Sequence, residues 1–236
     1  MTKTTKGLAL LLAATACATE SASEFDTSEM NARMTAVALG DGKTQVEVAL
    51  RDPSKLLTFL QLTADDQLEA SVAGQTKELE ESSLLGYVSY HASFDTDAAE
   101  AEVRVRLQRG DLTDAPDSSV RLPAPFTLQP LARQSYSRAE PISLSWSTGP
   151  SPDPLRLGIS GSCIESYEAE LGTGIVSFTV PAGAIVKATR ENEAVPDECE
   201  VTLMLERSRT GKVDPAFHGG SFDAQQRRSV SATSLP

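Results

Sequence analysis

Apolar and polar residues alternate one for one along much of this 236-residue chain, and that period leaves room for little besides strands. Val46, Val48 and Leu50 alternate with Gln45, Glu47 and Ala49. Ala101, Val103, Val105 and Leu107 alternate with Glu102, Arg104, Arg106 and Gln108. Successive strand side chains point to opposite faces, so each segment offers one apolar and one charged face. Half-buried antiparallel sheets carry that pattern, whereas parallel sheets read as continuous apolar runs. Tyr87, Ser89, His91 and Ser93 share one face of a further strand, with Val88, Tyr90, Ala92 and Phe94 on the other. The second half repeats the style at Ile142/Leu144/Trp146, Leu155/Leu157/Ile159, Val176/Phe178/Val180 and Val201/Leu203/Leu205. Turn signals at Gly40-Asp41-Gly42, Ala64-Asp65-Asp66, Ala73-Gly74-Gln75, Arg109-Gly110-Asp111 and Pro181-Ala182-Gly183-Ala184 separate the strands. The best helix candidates, Glu78 to Ser83 and Glu165 to Glu170, are at most about two turns long. The expected fold is all-β: two antiparallel β-sandwich domains.

Charge divides the chain. Between Ala18 and Ala124 there are 9 basic and 20 acidic residues, and between Pro125 and Pro236 there are 10 and 13. An acidic first half repels phosphate backbones, which argues against nucleic acid as a partner. The break coincides with Leu122-Pro-Ala-Pro125, where the prolines favour an extended, semi-rigid hinge. The expected units are therefore 29–122, an acidic sandwich, and 126–236, a second sandwich.

The start of the chain is of another kind. Lys3 and Lys6 precede an apolar run from Gly7 to Ala14, far short of the roughly 20 residues that span a bilayer, so 1–16 reads as an export signal. Ala14-Thr15-Ala16-Cys17 resembles the lipobox of bacterial lipoproteins, with Ala14 where that box usually has Leu. The resemblance implies acylation of Cys17 and a membrane partner held through it. Ala18, where lipoproteins retained at the inner membrane carry Asp, implies the outer membrane. Ala14-x-Ala16 also suits ordinary signal peptidase, which leaves a soluble secreted protein beginning at Cys17 as the alternative. Residues 17–28 are small, polar and acidic, and are expected to form a flexible tether behind the anchor.

The chain has three cysteines. If Cys17 is acylated, Cys163 and Cys199 remain as an even pair, and an exported chain meets conditions in which disulfides persist. The closed loop holds about 35 residues, for which chain entropy gives roughly 4 kcal/mol. The alternative is two free or metal-binding thiols, although no His or Cys is spaced nearby to complete a zinc set.

Catalytic motifs are absent from the sequence. His218-Gly-Gly-Ser221 has the look of a lipase oxyanion loop, but no Gly-x-Ser-x-Gly elbow accompanies it. His91 and His218 are the only histidines and read as strand and loop residues. Asp95, Asp97 and Glu100 are weak calcium candidates, since calcium takes six to eight oxygens and their spacing fits no EF-hand or RTX repeat; solvated turn residues explain them better. Trp146, the sole tryptophan, reads as core. No cofactor is expected.

Several stretches together resemble bacterial lipoproteins with tandem β-sandwich, immunoglobulin-like domains. They are the lipobox-like start, Ser119-Val-Arg-Leu-Pro-Ala-Pro-Phe126, Ser137-Arg138 with Leu144-Ser-Trp146, Cys199 before Val201-Thr-Leu203, and Gly219-Gly-Ser221 with Arg227-Arg228-Ser-Val230. Trp146 upstream of the cysteine pair is similar to immunoglobulin domains, in which a Trp packs on the bridge, though there the order is Cys, Trp, Cys. The resemblance implies a location and a domain layout but no reaction. The expected function is a membrane-anchored, non-enzymatic envelope lipoprotein acting as a binding, adhesion or structural module towards an unidentified envelope partner. The alternative is a secreted hydrolase with an unrecognised site.

Overall fold

The computed structural model describes residues 18–55, 57–148, 151–191 and 194–236. Its strands, numbered in chain order, form three sheets. The largest has eleven strands among the described residues and runs β1 (Ala18–Ser21), β4 (Thr58–Gln61), β3 (Thr44–Arg51), β2 (Asn31–Ala38), β18 (Gly219–Leu235), β17 (Cys199–Thr210), β14 (Leu155–Gly161) and β15 (Tyr167–Gly172). β8 (Tyr87–Phe94) and β7 (Glu80–Leu84) extend it from β3, and β12 (Ser135–Ser137) joins β18. A second sheet orders β10 (Ala115–Arg121), β9 (Glu102–Arg109), β5 (Asp66–Val72) and β6 (Gln75–Glu78). The third orders β11 (Phe126–Leu128), β13 (Ile142–Thr148) and β16 (Ser177–Val180).

The two small sheets cover the large one at separate places and enclose two cores. Val46, Val48, Leu50, Val103, Val105 and Leu107 meet in the first, and Leu144, Trp146, Leu157, Ile159, Leu203 and Leu205 in the second. The alternating positions face inward in both halves except at Val176, which precedes β16 and is exposed, and Phe178, which is half-buried; each fully buried side chain of this size contributes roughly 1.5–3 kcal/mol. The fold is thus all-β with two sandwiches.

What the pattern did not reveal is that the sandwiches share a strand. β18 is 17 residues long, about 55 Å at the usual rise. Its first half pairs in parallel with β2, from Gly219 opposite Asn31 to Gln226 opposite Ala38. Its length from Asp223 to Ser234 pairs antiparallel with β17. Phe222 and Ala224 lie in the first core, Val230 and Ala232 in or against the second. Val213, Ala216 and Phe217 also pack on the first core. The unit expected over 126–236 therefore does not keep its residues to itself, and the unit expected over 29–122 is closed by residues 213–224. Where β18 meets β2, Gly220 has φ +143, and a Cβ there would lie 1.9 Å from the Ala32 carbonyl oxygen, so only glycine permits this approach.

Two further expectations are corrected. Residues 18–28 are not a loose tether. β1 pairs in parallel with β4, from Ala18 opposite Thr58 to Ser21 opposite Gln61, and Ala22 and Thr27 are fully buried. The guanidinium of Arg109 fastens the segment, its Nη2 donating to the carbonyls of Ala22 (2.8 Å) and Phe25 (3.3 Å). A polar sequence hides this docking because the backbone, not the side chains, makes the bonds. Second, 78–83 and 165–170 are not helical. They fall on β6, β7 and β15. In β15, Glu168 and Glu170 point outward while Leu171 is buried, and β7 is exposed at every residue, so no core imposes a pattern on it.

Candidate functional site

The lobes meet at a junction lined by polar side chains. In β17 and β18, polar side chains stand in phase with the core: Arg207 follows Leu205 by two, and Gln226 and Arg228 lie between Ala224 and Val230. They face the passage between the cores. Gln226 is fully buried, and its Nε2 donates to the carbonyls of Asp97 (3.0 Å) and Pro123 (3.3 Å). Arg207 Nη1 donates to the Ala124 carbonyl (2.7 Å). Arg228 Nη1 donates to the Ala38 carbonyl (3.0 Å), and its Nη2 to Gln226 Oε1 (3.1 Å). The Phe126 ring lies 5.5 Å from the Arg207 guanidinium and 5.3 Å from that of Arg228, within the range of cation–π attraction. Burial draws both guanidiniums below their ordinary pKa, with Asp153 opposing it at Arg207 and Asp97 and Asp41 opposing it at Arg228. Gly40, at φ +87, leaves room for Arg228, whose Nε would sit 2.4 Å from a Cβ there. The Leu-Pro-Ala-Pro segment read as a hinge is thus pinned through two of its carbonyls.

A cleft of about 670 Å³ opens beside this junction, lined among others by Leu39, Asp97, Phe126, Ser147 and Arg228. Its lining brings one carboxylate, one guanidinium and several hydroxyls, with no histidine or lysine to serve as a base beside a hydroxyl. A second cleft, of about 570 Å³, lies at the open side of the first lobe between Thr63, Asp66, Glu78, Glu81 and Tyr90. There burial, reinforced by Glu81, pushes the Tyr90 phenol up to about 12 although the Leu62 amide opposes it. The phenol accepts from that amide at 2.7 Å and is protonated at any physiological pH, which suits a structural contact rather than a base.

An ionic bridge ties the lobes beside the first cleft. Arg209 donates to Asp153 of the second lobe through Nε (3.0 Å) and Nη2 (2.7 Å), and to Glu100 of the first through Nη1 (2.9 Å). Burial raises the Asp153 carboxyl, but hydrogen bonds from Arg209 and Ser151 outweigh it and hold its pKa below the ordinary value. A depressed folded pKa contributes stability above the unfolded value, near 4, and loses it as pH falls through the folded value. Melting curves of the protein and of Asp153→Asn should therefore differ at pH 6 and draw together as pH falls below the ordinary carboxylate range. A gap that persists unchanged into acid would refute this account of the bridge.

The residues singled out from the sequence fall as follows. Cys17 lies outside the described residues. Cys163 and Cys199 form a disulfide with Cα atoms 5.6 Å apart, at the far end of the second lobe where β17 begins. Trp146 is buried in the second core, its indole donating to the Ile175 carbonyl (3.0 Å). The weak calcium candidates are not gathered: Glu100 pairs with Arg209 at 2.8 Å, the Asp97 carbonyl is taken by Gln226, and Asp95 is exposed. Among the described residues no group of three or more His, Cys, Asp or Glu side chains is placed to hold a metal. His91 is exposed in mid-β8 and His218 in the turn before β18. The junction residues were missed, although polar side chains in phase with a core face were the available signal.

No family model matches this sequence, and no curated protein matches it. Solved structures overlap it weakly. They include a two-domain fibronectin type-III segment of chicken tenascin, at 12% identity and TM-score 0.24, covering 86% of this chain and 98% of that one. An I-band fragment of titin overlaps at 9% identity and TM-score 0.25, covering 84% and 62%. A chimeric titin tandem carrying an exogenous peptide from fibronectin overlaps at 11% identity and TM-score 0.24, covering 83% and 95%. The description of two sandwiches rests on the strand pairing itself.

Proposed function

We propose that this chain is an exported envelope lipoprotein, held to the bacterial outer membrane by acyl groups on Cys17, and that it serves as a non-catalytic structural or binding module. The observation that carries this reading is the position of Ala18. It opens β1 at the end of the first lobe where β18 begins, while β18 ends in the second lobe. A lipid on the preceding residue would hold one end of a two-lobed body and present the other, disulfide-bridged end away from the surface. The bridge suits an oxidising compartment. The pinned junction suits a module that keeps its two lobes in line, and the lining of neither cleft brings a histidine or lysine beside a hydroxyl.

Radiolabelled palmitate should enter the wild-type protein and not Cys17→Ser. Equal labelling of the two, or none in either, would reject the anchor.

A further inference from the structure

The end of the first lobe at which the described chain begins carries apolar side chains that the fold does not use. Eight large hydrophobic residues are exposed among the described residues, and four of them gather here: Leu57 (42%), Leu84 (71%), Leu85 (85%) and Tyr87 (40%). Both segments that bear them bond to the first two residues of β1. The Ala18 amide donates to the Leu57 carbonyl (3.1 Å), and the Thr19 hydroxyl to the Gly86 carbonyl (3.2 Å). Scattered single leucines on a surface need no explanation, but a cluster does.

The hairpin tip is unusual for a solvated turn. Leu84 faces Tyr87 across β7 and β8, which leaves a two-residue loop of Leu85 and Gly86. Both have positive φ, +51 and +81, the geometry in which hairpins place Asn-Gly or Asp-Gly. A bulky leucine at the first position is unfavourable for the backbone and gains no packing. Tyr87 completes the set, with its ring packed at 4.7 Å against Phe59 and its hydroxyl donating to Glu47 Oε1 (2.6 Å). An aromatic with an apolar body and a satisfied polar tip suits a membrane–water boundary.

We propose that this end docks on the lipid bilayer itself, with Leu84, Leu85, Leu57 and the Tyr87 ring entering the headgroup–acyl boundary beside the anchor. The inference rests on the acylation of Cys17 proposed above, because Ala18 delivers that residue to the edge of the patch with no tether between. Of the cations near the patch, Lys55 is paired with Glu20 (2.5 Å) and Asp52 (3.4 Å), and the Arg51 guanidinium lies 5.2 Å over the Phe59 ring. The side chains that enter the boundary are apolar, so zwitterionic lipid suffices for docking. Docking sets the first lobe upright on the membrane.

The test uses a chain beginning at Cys17, which retains both cores entire, since their buried members run from Ala22 to Ala232. Coupling the Cys17 thiol to a maleimide lipid in zwitterionic phosphatidylcholine–phosphatidylethanolamine vesicles supplies the anchor chemically, whatever the cell does. With brominated acyl chains in the bilayer, Leu84→Trp should lose roughly half of its added emission and shift to the blue, as a side chain buried several ångströms into the boundary does. Val186→Trp, beside the distal bridge, and the native Trp146 should be unaffected. Quenching of Leu84→Trp no greater than that of Val186→Trp would overturn the proposal. So would a blue shift without lipid accompanied by a concentration-dependent dimer, which would assign the patch to a second copy. Absence of palmitate in cells would remove the anchor reading by a separate readout.

Discussion

Asp66→Ala should destabilise the protein by about 3–5 kcal/mol, the cost of removing one partner from a buried ion pair. Arg109 Nε donates to Asp66 Oδ1 at 2.7 Å, and the two side chains are 0% and 5% exposed. Deleting the carboxylate leaves the guanidinium buried and uncompensated, while Asp66 also ceases to accept from the Thr63 amide and hydroxyl, each at 3.0 Å. The loss reaches the start of the chain, because the same guanidinium holds the Ala22 and Phe25 carbonyls. Hydrogen exchange in 18–30 should accelerate in the variant more than exchange elsewhere in the first lobe. The double variant Asp66→Ala/Arg109→Met should recover part of the loss, since an apolar replacement carries no stranded charge. Urea midpoints of the three proteins decide the matter: a single variant within about 1 kcal/mol of wild type would mean that the pair contributes little.

Breaking the Cys163–Cys199 bridge should cost about 4 kcal/mol by the chain-entropy model for a loop of this size. The bridged residues are 36 apart in sequence. Between them lie β15 and β16, one from each sheet of the second lobe, so the bridge limits how far the unfolded chain can separate those sheets. Trp146 reports on that lobe alone, being buried in its core. Its fluorescence transition in urea should move to lower denaturant in Cys163→Ala/Cys199→Ala and on reduction of the wild type. An unmoved midpoint would show that packing alone holds the second lobe.

The alternation made β3, β9, β13, β14 and β17 legible, because each has one face on a core and period two is then obligatory. Legibility failed wherever another force set the structure. Residues 18–28 dock through backbone carbonyls and a buried ion pair contributed by distant residues, which no local pattern encodes. β7 lies at an exposed edge, where composition is free, and its glutamates imitate a short helix. β18 was obscured by Gln226 and Arg228, which interrupt its apolar face where it crosses between the cores. Read as one strand with a polar middle, residues 219–235 would have betrayed the shared element. The pair Cys163 and Cys199 was legible by counting, but nothing in the sequence placed it at the end of the body opposite Ala18.

The shared strand also governs the order in which the molecule can be assembled. Gly219 to Gln226 complete the first lobe against Asn31 to Ala38, a pairing across roughly 190 residues, and contacts so remote in sequence form slowly. As the chain is synthesised, the first lobe remains open after all its other strands have been made, and its apolar interior stays available to chaperones throughout. Under the export proposed above, such a delay guards against closure before the extended chain has crossed the membrane. Among the described strands, the one that comes last in the chain seals both cores.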